Sequence, residues 1–148
     1  MKRGSVPALR GLGPAVAISL CLGACGTVKS PTEPPPDAGG PVFTFSQIQA
    51  QIFTPNCVKA DCHDAATAQN GLILEAGQSY ALLVNHPSLG SALPRVTPGD
   101  PERSYLIKKL RGDPDITDDR MPLDGPPFLT PEQIAGIAGW IREGAKND

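Results

Sequence analysis

Residues 57–63 of this 148-residue chain read CVKADCH. Four residues separate Cys57 from Cys62, and His63 follows the second cysteine directly. Two cysteines with a histidine after the second form the pattern that attaches c-type haem, although two residues more often separate the cysteines. Each thiol adds to one vinyl group of the haem, and the histidine is then held under the ring with a nitrogen toward the iron. The motif predicts covalent haem c on Cys57 and Cys62, with His63 as the proximal ligand of the iron.

The same residues allow two other interpretations. In an oxidising compartment two nearby thiols form a disulfide, and His63 is then incidental. Zinc held by Cys57, Cys62, His63 and His86 has suitable donor types, but adjacent Cys62 and His63 are poorly spaced for chelation. The disulfide is the main alternative. In that case the protein is an envelope lipoprotein module that is closed by a Cys57–Cys62 disulfide, binds a partner and holds no haem.

Composition limits both the size and the class of the protein. Glycine and proline account for 33 of the 148 residues, and only seven are aromatic, which favours one small core with long loops. The length excludes a large enzyme with separate cofactor and substrate domains. A formal charge of −2 without a long basic cluster argues against nucleic acid as a partner. No nucleophile elbow, zinc-protease motif or phosphate loop is present, so we expect no enzyme activity.

Residues 1–24 have the features of an export signal. A basic start with Lys2 and Arg3 precedes an apolar run over 15–24 that is too short to span a bilayer. The run ends in LGAC at residues 22–25, which resembles the lipobox of bacterial lipoproteins. In that family the signal is cut before the cysteine, whose sulfur receives a diacylglycerol. We therefore expect a lipid on Cys25 that holds the protein at a membrane surface; the alternative is an ordinary secretory peptide that happens to contain Cys25.

The region from the lipidated cysteine to the folded domain, residues 25–41, is dominated by proline and glycine, with no large apolar residue beyond Val28. Such a stretch buries too little surface to fold, so we expect a disordered tether. The domain then covers 42–148. We expect the protein in the bacterial cell envelope, at the outer membrane or the periplasmic face. The residue after the lipidated cysteine is Gly26, and not the Asp that signals inner-membrane retention in some bacteria.

The first two helices are predicted from capping residues and apolar spacing. The first begins at Thr44 or Ser46 and carries apolar residues at helical spacing. Pro55 pushes the residue before it out of the helical region and ends this helix. A second, shorter helix covers 79–85.

The third and fourth helices are more strongly marked. Asp100 caps the third, with proline at its first position, and Gly112 stops it. Thr130 caps the fourth, again followed by proline. Gly136 and Gly139 lie three apart inside the fourth helix, which indicates that another backbone approaches there. Because no convincing alternating strand is found, the predicted class is all-α with long loops.

From Thr44 to Ala145 the chain resembles the small cytochrome c-like domains of bacterial lipoproteins and multidomain envelope proteins. The resemblance rests on the cysteine–histidine cluster, the Met121-Pro122 pair and the closing helix over 129–145, with support from 52–57, 71–72, 80–85, 95–101, 104–106 and 109–110. It implies a cytochrome c fold of about four short helices, the first and last crossing over a covalent haem. It also implies a lipid-anchored carrier that passes single electrons to and from a redox partner protein.

The resemblance also indicates the second axial ligand of the iron. Met121 lies 58 residues after His63, in a Pro- and Gly-rich loop before the final helix, where the cytochrome c family places its axial methionine. Pro122 fixes the backbone beside it and cannot continue a helix. His86 is the runner-up, and it would give bis-histidine ligation.

The remaining charged groups suggest two further roles. Arg95, Arg120, Arg103 and Arg142 are candidates to pair with the haem propionates, because arginine forks suit carboxylates. The acidic loop over 113–119 contains four aspartates, whose carboxylates are of the type that binds calcium. It lacks the glycine and the closing glutamate of an EF-hand, so we expect a solvated loop.

Overall fold

The computed structural model describes residues 40–148. The predicted signal over 1–24, the lipidation of Cys25 and nearly all of the predicted tether lie outside the described residues. Within 40–148 the chain forms helices joined by long loops. Its β-structure there is limited to two isolated bridges, a parallel one between Val84 and Val96 and an antiparallel one between Pro87 and Pro94.

The helical elements follow each other along the chain without a long interruption by other structure. They are α1 (Phe45–Ile48), a π-helix (Gln49–Phe53), α2 (Thr54–Asn56), a 3-10 helix (Gln69–Gly71), α3 (Ser79–Leu83), α4 (Tyr105–Arg111) and α5 (Pro131–Arg142). The first three are continuous and form one helical run over 45–56. The longest loops lie between α3 and α4 and between α4 and α5.

The start of the first helical run is the predicted one, but its end is not. The Thr44 hydroxyl accepts from the Gln47 N–H at 3.2 Å, and the Gln47 side chain accepts from the Thr44 N–H at 2.9 Å, which is a capping box. The predicted stop before Pro55 is wrong, because Thr54 keeps helical angles (φ −58°, ψ −50°). Proline normally clashes with the carbonyl four residues back. Here a π-turn precedes it, in which the Thr54 N–H donates to the Gln49 carbonyl five residues back.

A buried glutamine in the π-helix ties the first helical run to the rest of the domain. The Gln49 amide nitrogen donates to the Leu74 carbonyl at 2.8 Å and to the Thr54 hydroxyl at 3.1 Å. Its oxygen accepts from the buried Ser79 hydroxyl at 2.5 Å. Buried polar groups are costly unless they are hydrogen-bonded, and this amide is bonded at both ends. The π-helix, the loop after His63 and α3 are therefore fixed to one another.

Helix α3 ends earlier than predicted and α4 begins later. Val84 is extended (φ −77°, ψ 123°), so the predicted helix over 79–85 stops at Leu83. The prediction that Asp100 caps the next helix is wrong, since α4 begins after Ser104. The first N–H groups of α4 find partners from a distance: Tyr105 donates to the Pro94 carbonyl at 3.0 Å, and the next residue donates to the carbonyl of residue 95. These backbone partners place the helix start where no side-chain cap is needed.

The last helix begins as predicted, with Thr130 accepting from the Gln133 N–H and a complete capping box. The backbone that approaches its glycines is the segment 41–43, which precedes the first helix. A Cβ at Gly139 would lie 2.8 Å from the Pro41 carbonyl oxygen, and one at Gly136 would overlap the Phe43 ring. Another backbone thus approaches these glycines as predicted, and it comes from residues before the first helix.

The first and last helices meet through side chains. The Phe45 ring packs at 5.3 Å from the Trp140 ring and at 5.2 Å from the Tyr80 ring, measured between centroids. The end of the chain closes over the same helix start: Ser46 N–H donates to the Asp148 carbonyl at 2.9 Å, and Phe45 N–H donates to the Asp148 carboxylate at 2.8 Å. These rings belong to one continuous core, and other members of the same core, such as Phe53 and Leu129, line a cavity.

Candidate functional site

A cavity of about 340 Å³ lies between the loop that follows the first helical run and the loop before α5. Its walls include buried core side chains: Phe53, Leu74, Leu83, Leu110 and Leu129. This volume and an apolar lining are typical of sites that hold a small molecule or a cofactor. The predicted site residues Cys57, Cys62, His63 and Met121 all line this one cavity.

Backbone hydrogen bonds organise the loop that carries the two thiols. Cys57 N–H donates to the Phe53 carbonyl at 2.8 Å, so the first cysteine continues the helical run. Cys62 N–H donates to the Lys59 carbonyl at 3.1 Å, and His63 N–H donates to the Cys57 carbonyl at 3.3 Å. The four-residue spacer therefore forms a closed turn that returns the second cysteine and the histidine to the cavity wall.

Both thiols are free and half-buried. Burial raises the pKa of the Cys57 thiol to about 12, against a lowering by nearby Lys59. The Cys57 thiol is therefore protonated at neutral pH. A thiol in this form is a poor nucleophile and a poor metal ligand until it is deprotonated.

One ring nitrogen fixes the orientation of His63. Its Nδ1 lies 3.0 Å from the Leu72 carbonyl oxygen. A carbonyl only accepts, so Nδ1 carries the hydrogen, and the Nε2 lone pair is left available. Burial lowers the pKa of His63, and the charges of Arg95 and Lys109 lower it further. The neutral imidazole with a hydrogen-bonded Nδ1 is the form in which histidine binds a metal.

Met121 lines the cavity from a second loop, the one before α5. Its N–H donates to the Lys109 carbonyl at 2.9 Å, at the end of α4. The Lys109 ammonium in turn donates to the carbonyls of Thr117 and Asp119, at 2.8 Å and 2.6 Å. Lys109 thus bonds to the loop at three residues, once through its carbonyl and twice through its ammonium. Sequence patterns gave no sign of this role, because the partners are backbone atoms eight to ten residues away.

The structure does not bring His86 to this site. His86 is not among the residues that line the cavity, and its Nδ1 faces the Pro87 carbonyl at 3.1 Å. Across residues 40–148, no three His, Cys, Asp or Glu side chains are grouped closely enough to hold a metal ion. The zinc set with His86 is therefore not assembled in the described part of the chain.

The acidic loop after α4 is held by lysine. The Lys108 ammonium lies 2.9 Å from the Asp115 carboxylate and 3.8 Å from that of Asp113. This arrangement agrees with a solvated loop and not with a calcium site.

Two of the four candidate arginines differ clearly in position. Arg95 is buried and lines the cavity. Arg120 lies outside the cavity lining: its guanidinium stacks over the Phe128 ring at 4.2 Å, and its Nε donates to the Leu110 carbonyl at 2.8 Å. Arg103 is exposed, and neither it nor Arg142 lines the cavity.

The cavity opens beside exposed apolar and acidic side chains. Leu89 and Leu123, which line it, are 74% and 63% exposed. Four aspartates border the same opening: Asp61, Asp118, Asp119 and Asp124. One of these aspartates, Asp124, forms an ion pair: the Lys59 ammonium lies 2.6 Å from its carboxylate.

Comparison of the chain with protein-family models, curated proteins and solved structures finds no match. The likeness to cytochrome c-like domains thus rests on the residues quoted above. None of the helices within residues 40–148 is long and apolar enough to cross a membrane.

Proposed function

We propose that this protein is a monohaem c-type cytochrome that carries single electrons and has a cytochrome c-like fold. Haem is attached covalently to Cys57 and Cys62, and His63 and Met121 are the axial ligands of its iron. A lipid on Cys25 anchors the protein in the bacterial cell envelope, and a redox partner protein exchanges electrons with it.

The observation that carries this proposal is that two thiols, an imidazole and a thioether line one apolar cavity. These are the side chains that attach and ligate haem in c-type cytochromes. The three residues of the Cys-Cys-His motif are held by one turn, while Met121 comes from a loop 58 residues further on. Apolar walls from Phe53 to Leu129 suit a large flat cofactor that needs protection from water.

The chain supplies attachment, orientation and shielding. Bound haem iron would supply reversible one-electron oxidation and reduction. Cys57 and Cys62 hold the cofactor in place, and the Leu72 carbonyl keeps the His63 ring in one orientation through Nδ1. The buried leucines restrict water around the site, which together with the axial ligands tunes the reduction potential.

Covalent attachment is the property to test first. The full chain is made in a bacterial host that matures c-type haem and is separated on a denaturing gel. Thioether bonds survive denaturation, so we expect the band to stain for haem peroxidase activity. The matched control is the double variant Cys57→Ala/Cys62→Ala, which lacks both bonds and is expected to lose the stain completely.

A wild-type chain without bound haem would overturn the proposal. The haem-free lipoprotein module closed by a Cys57–Cys62 disulfide would then take its place. Counting free thiols in the denatured protein with and without reductant distinguishes that form directly. The anchor is tested separately, by mass spectrometry of the mature N-terminal peptide, where an acylated Cys25 is expected.

A further inference from the structure

The buried arginine on the cavity wall has a charge for which the described residues provide no counter-ion. Arg95 is only 6% exposed, and its side chain lines the cavity. Its backbone is fixed on both sides: its N–H donates to the His86 carbonyl at 2.8 Å, and its carbonyl accepts from Leu106 N–H at 2.9 Å. The side chain is therefore held at the cavity by the fold.

The partners of the guanidinium are neutral. Nη1 donates to the Leu82 carbonyl and Nη2 to the Asn70 carbonyl, both at 2.8 Å. A guanidinium has five N–H donors and stays protonated in proteins, so three donors remain for another acceptor. None of the ion pairs formed within residues 40–148 includes Arg95. A buried charge without a counter-ion is costly, and burial accordingly lowers the pKa of Arg95.

The other charges at the cavity do not fill this role. Lys109 is cationic and bonds to the carbonyls of its own loop. The four aspartates of the opening are exposed, and none of them bonds to Arg95. The planar fork of a guanidinium fits the two oxygens of a carboxylate.

We infer that Arg95 binds a carboxylate of the molecule that the cavity holds. This inference rests on the proposed function, under which the carboxylate is a haem propionate. Of the four arginines that the sequence offers for such a pairing, the structure selects the one that is buried on the cavity wall.

The same turn that receives Arg95 also orients the proximal histidine. Asn70 and Gly71 have positive φ values of 53° and 64°, and the chain then reaches Leu72, whose carbonyl accepts from His63. Arg95 is bonded to the carbonyl of Asn70 at the start of this turn. A carboxylate on Arg95 would therefore be linked to the His63 side of the cavity through two residues of backbone.

The test compares reduction potentials of the haem-loaded full chain at several pH values. Arg95→Met removes the charge and leaves the carboxylate unpaired, so its negative charge favours the oxidised iron. We expect a preference for the oxidised state about tenfold greater than in wild type, which is roughly 59 mV for one electron. The unpaired carboxylate also titrates at a higher pH, so the potential should fall with rising pH between about pH 5 and pH 8. Wild type should be flat in comparison.

Arg120→Met is the matched control, because it removes an arginine that also bonds to a carbonyl but lies outside the cavity lining. It leaves Lys109, His63 and the four aspartates unchanged, so their contribution to the pH profile is common to all variants. Arg95→Lys is measured as well, since it keeps the charge and loses the fork. We expect its potential to lie between those of wild type and Arg95→Met.

Equal shifts in Arg95→Met and Arg120→Met, or no shift in Arg95→Met, would overturn the inference and leave the cytochrome proposal intact. A wild-type chain without haem would overturn both. If Arg95→Met yields no folded holoprotein, Arg95→Lys decides: a lower potential than wild type supports the pairing, and an unchanged potential overturns it.

Discussion

The cavity wall is built in different ways around His63 and around Met121, which we call the His63 side and the Met121 side. The His63 side is a network: His63 N–H donates to Cys57, its carbonyl accepts from Leu74 at 2.8 Å, and its ring bonds to Leu72. On the other side, in the described part of the chain, Met121 makes one hydrogen bond, from its N–H to Lys109. Its loop is otherwise held by bonds that involve side chains: the Lys109 ammonium donates to two loop carbonyls, Arg120 Nε donates to the Leu110 carbonyl, and Thr117 bonds to the Tyr105 hydroxyl and the Gly90 carbonyl.

His63 is therefore a preorganised ligand, whereas the position of Met121 depends on how its loop is held. We call the His63 side the preorganised side and the Met121 side the dependent side. Ligands whose orientation is fixed by a bonded shell lose little freedom when a metal is bound. A loop with few backbone bonds opens at lower free energy than the elements around it. We therefore expect the His63 side to control whether the cofactor is correctly held, and the Met121 side to tune it.

The largest effect is expected when the preorganised side is broken. His63→Ala removes the proximal ligand but leaves both thioether-forming cysteines. We expect haem to stay on the chain in a denaturing gel, while the native visible spectrum loses the features of a correctly ligated iron. His86→Ala is the control, since that side chain lies outside the cavity lining, and its spectrum should match wild type.

A smaller effect is expected on the dependent side. Met121→Ala should erase the weak absorption band near the red end of the oxidised spectrum, which marks sulfur–iron ligation. Because a methionine ligand raises the potential, its loss should shift the reduction equilibrium at least about tenfold, or roughly 59 mV. Should His86→Ala cause this change and Met121→Ala not, the assignment of the axial ligand would be wrong.

The Met121 loop can be loosened without changing Met121 itself. Lys109→Met removes both ammonium bonds to the loop, at a cost of about 1 kcal/mol in loop opening. Hydrogen exchange of the Met121 N–H should become about fivefold faster, while that of His63 stays as in wild type. Lys108→Met, whose ammonium faces Asp115 instead, should leave both unchanged. Equal acceleration on the two sides would show that they are not held independently.

The smallest effect concerns the ion pair between Lys59 and Asp124, which joins the two sides. Lys59 comes from the cysteine loop and Asp124 from the Met121 loop. The hydrogen bond that Lys59 donates to the Asp124 carboxylate lowers the pKa of Asp124. The pair therefore stabilises the fold above the ordinary pKa of an aspartate, and this stabilisation is lost as pH falls through the lowered pKa.

Asp124→Asn should reduce thermal stability only slightly at neutral pH, because the pair is exposed, and the difference should vanish in high salt. Asp119→Asn is the matched control, since its carboxylate has no cationic partner in residues 40–148. A loss of stability that persists at acid pH and in high salt would contradict the ion-pair interpretation.

The features that could be predicted from the sequence are the local ones. Thr44 and Thr130 bond to residues three positions on, so their capping boxes are encoded in four-residue stretches. The cysteine–histidine motif is local too, and the four side chains assigned to the site do line one cavity. The start of α4 was missed because the partners of its first N–H groups lie about ten residues upstream.

Other features depend on tertiary packing that no spacing rule contains. The π-helix before Pro55 is fixed by Gln49, whose partners include Leu74 and Ser79. The burial of Arg95 needs the Leu82 carbonyl of α3 and the Asn70 carbonyl of the 3-10 helix to arrive from two separate elements. Such contacts are set by the assembled domain, so the sequence names the residues but not their surroundings.

The hydrogen bonds from Phe45 and Ser46 to Asp148 have a consequence for engineering. They hold Phe45 and Ser46 against Asp148, so a linker of a few residues would join the two ends of the segment 42–148 into a closed circle. New ends opened at Gly77, an exposed left-handed position (φ 83°) with open space around it, would give a circular permutant. By the same geometry the domain can be spliced into a surface loop of a host protein without stretching that loop.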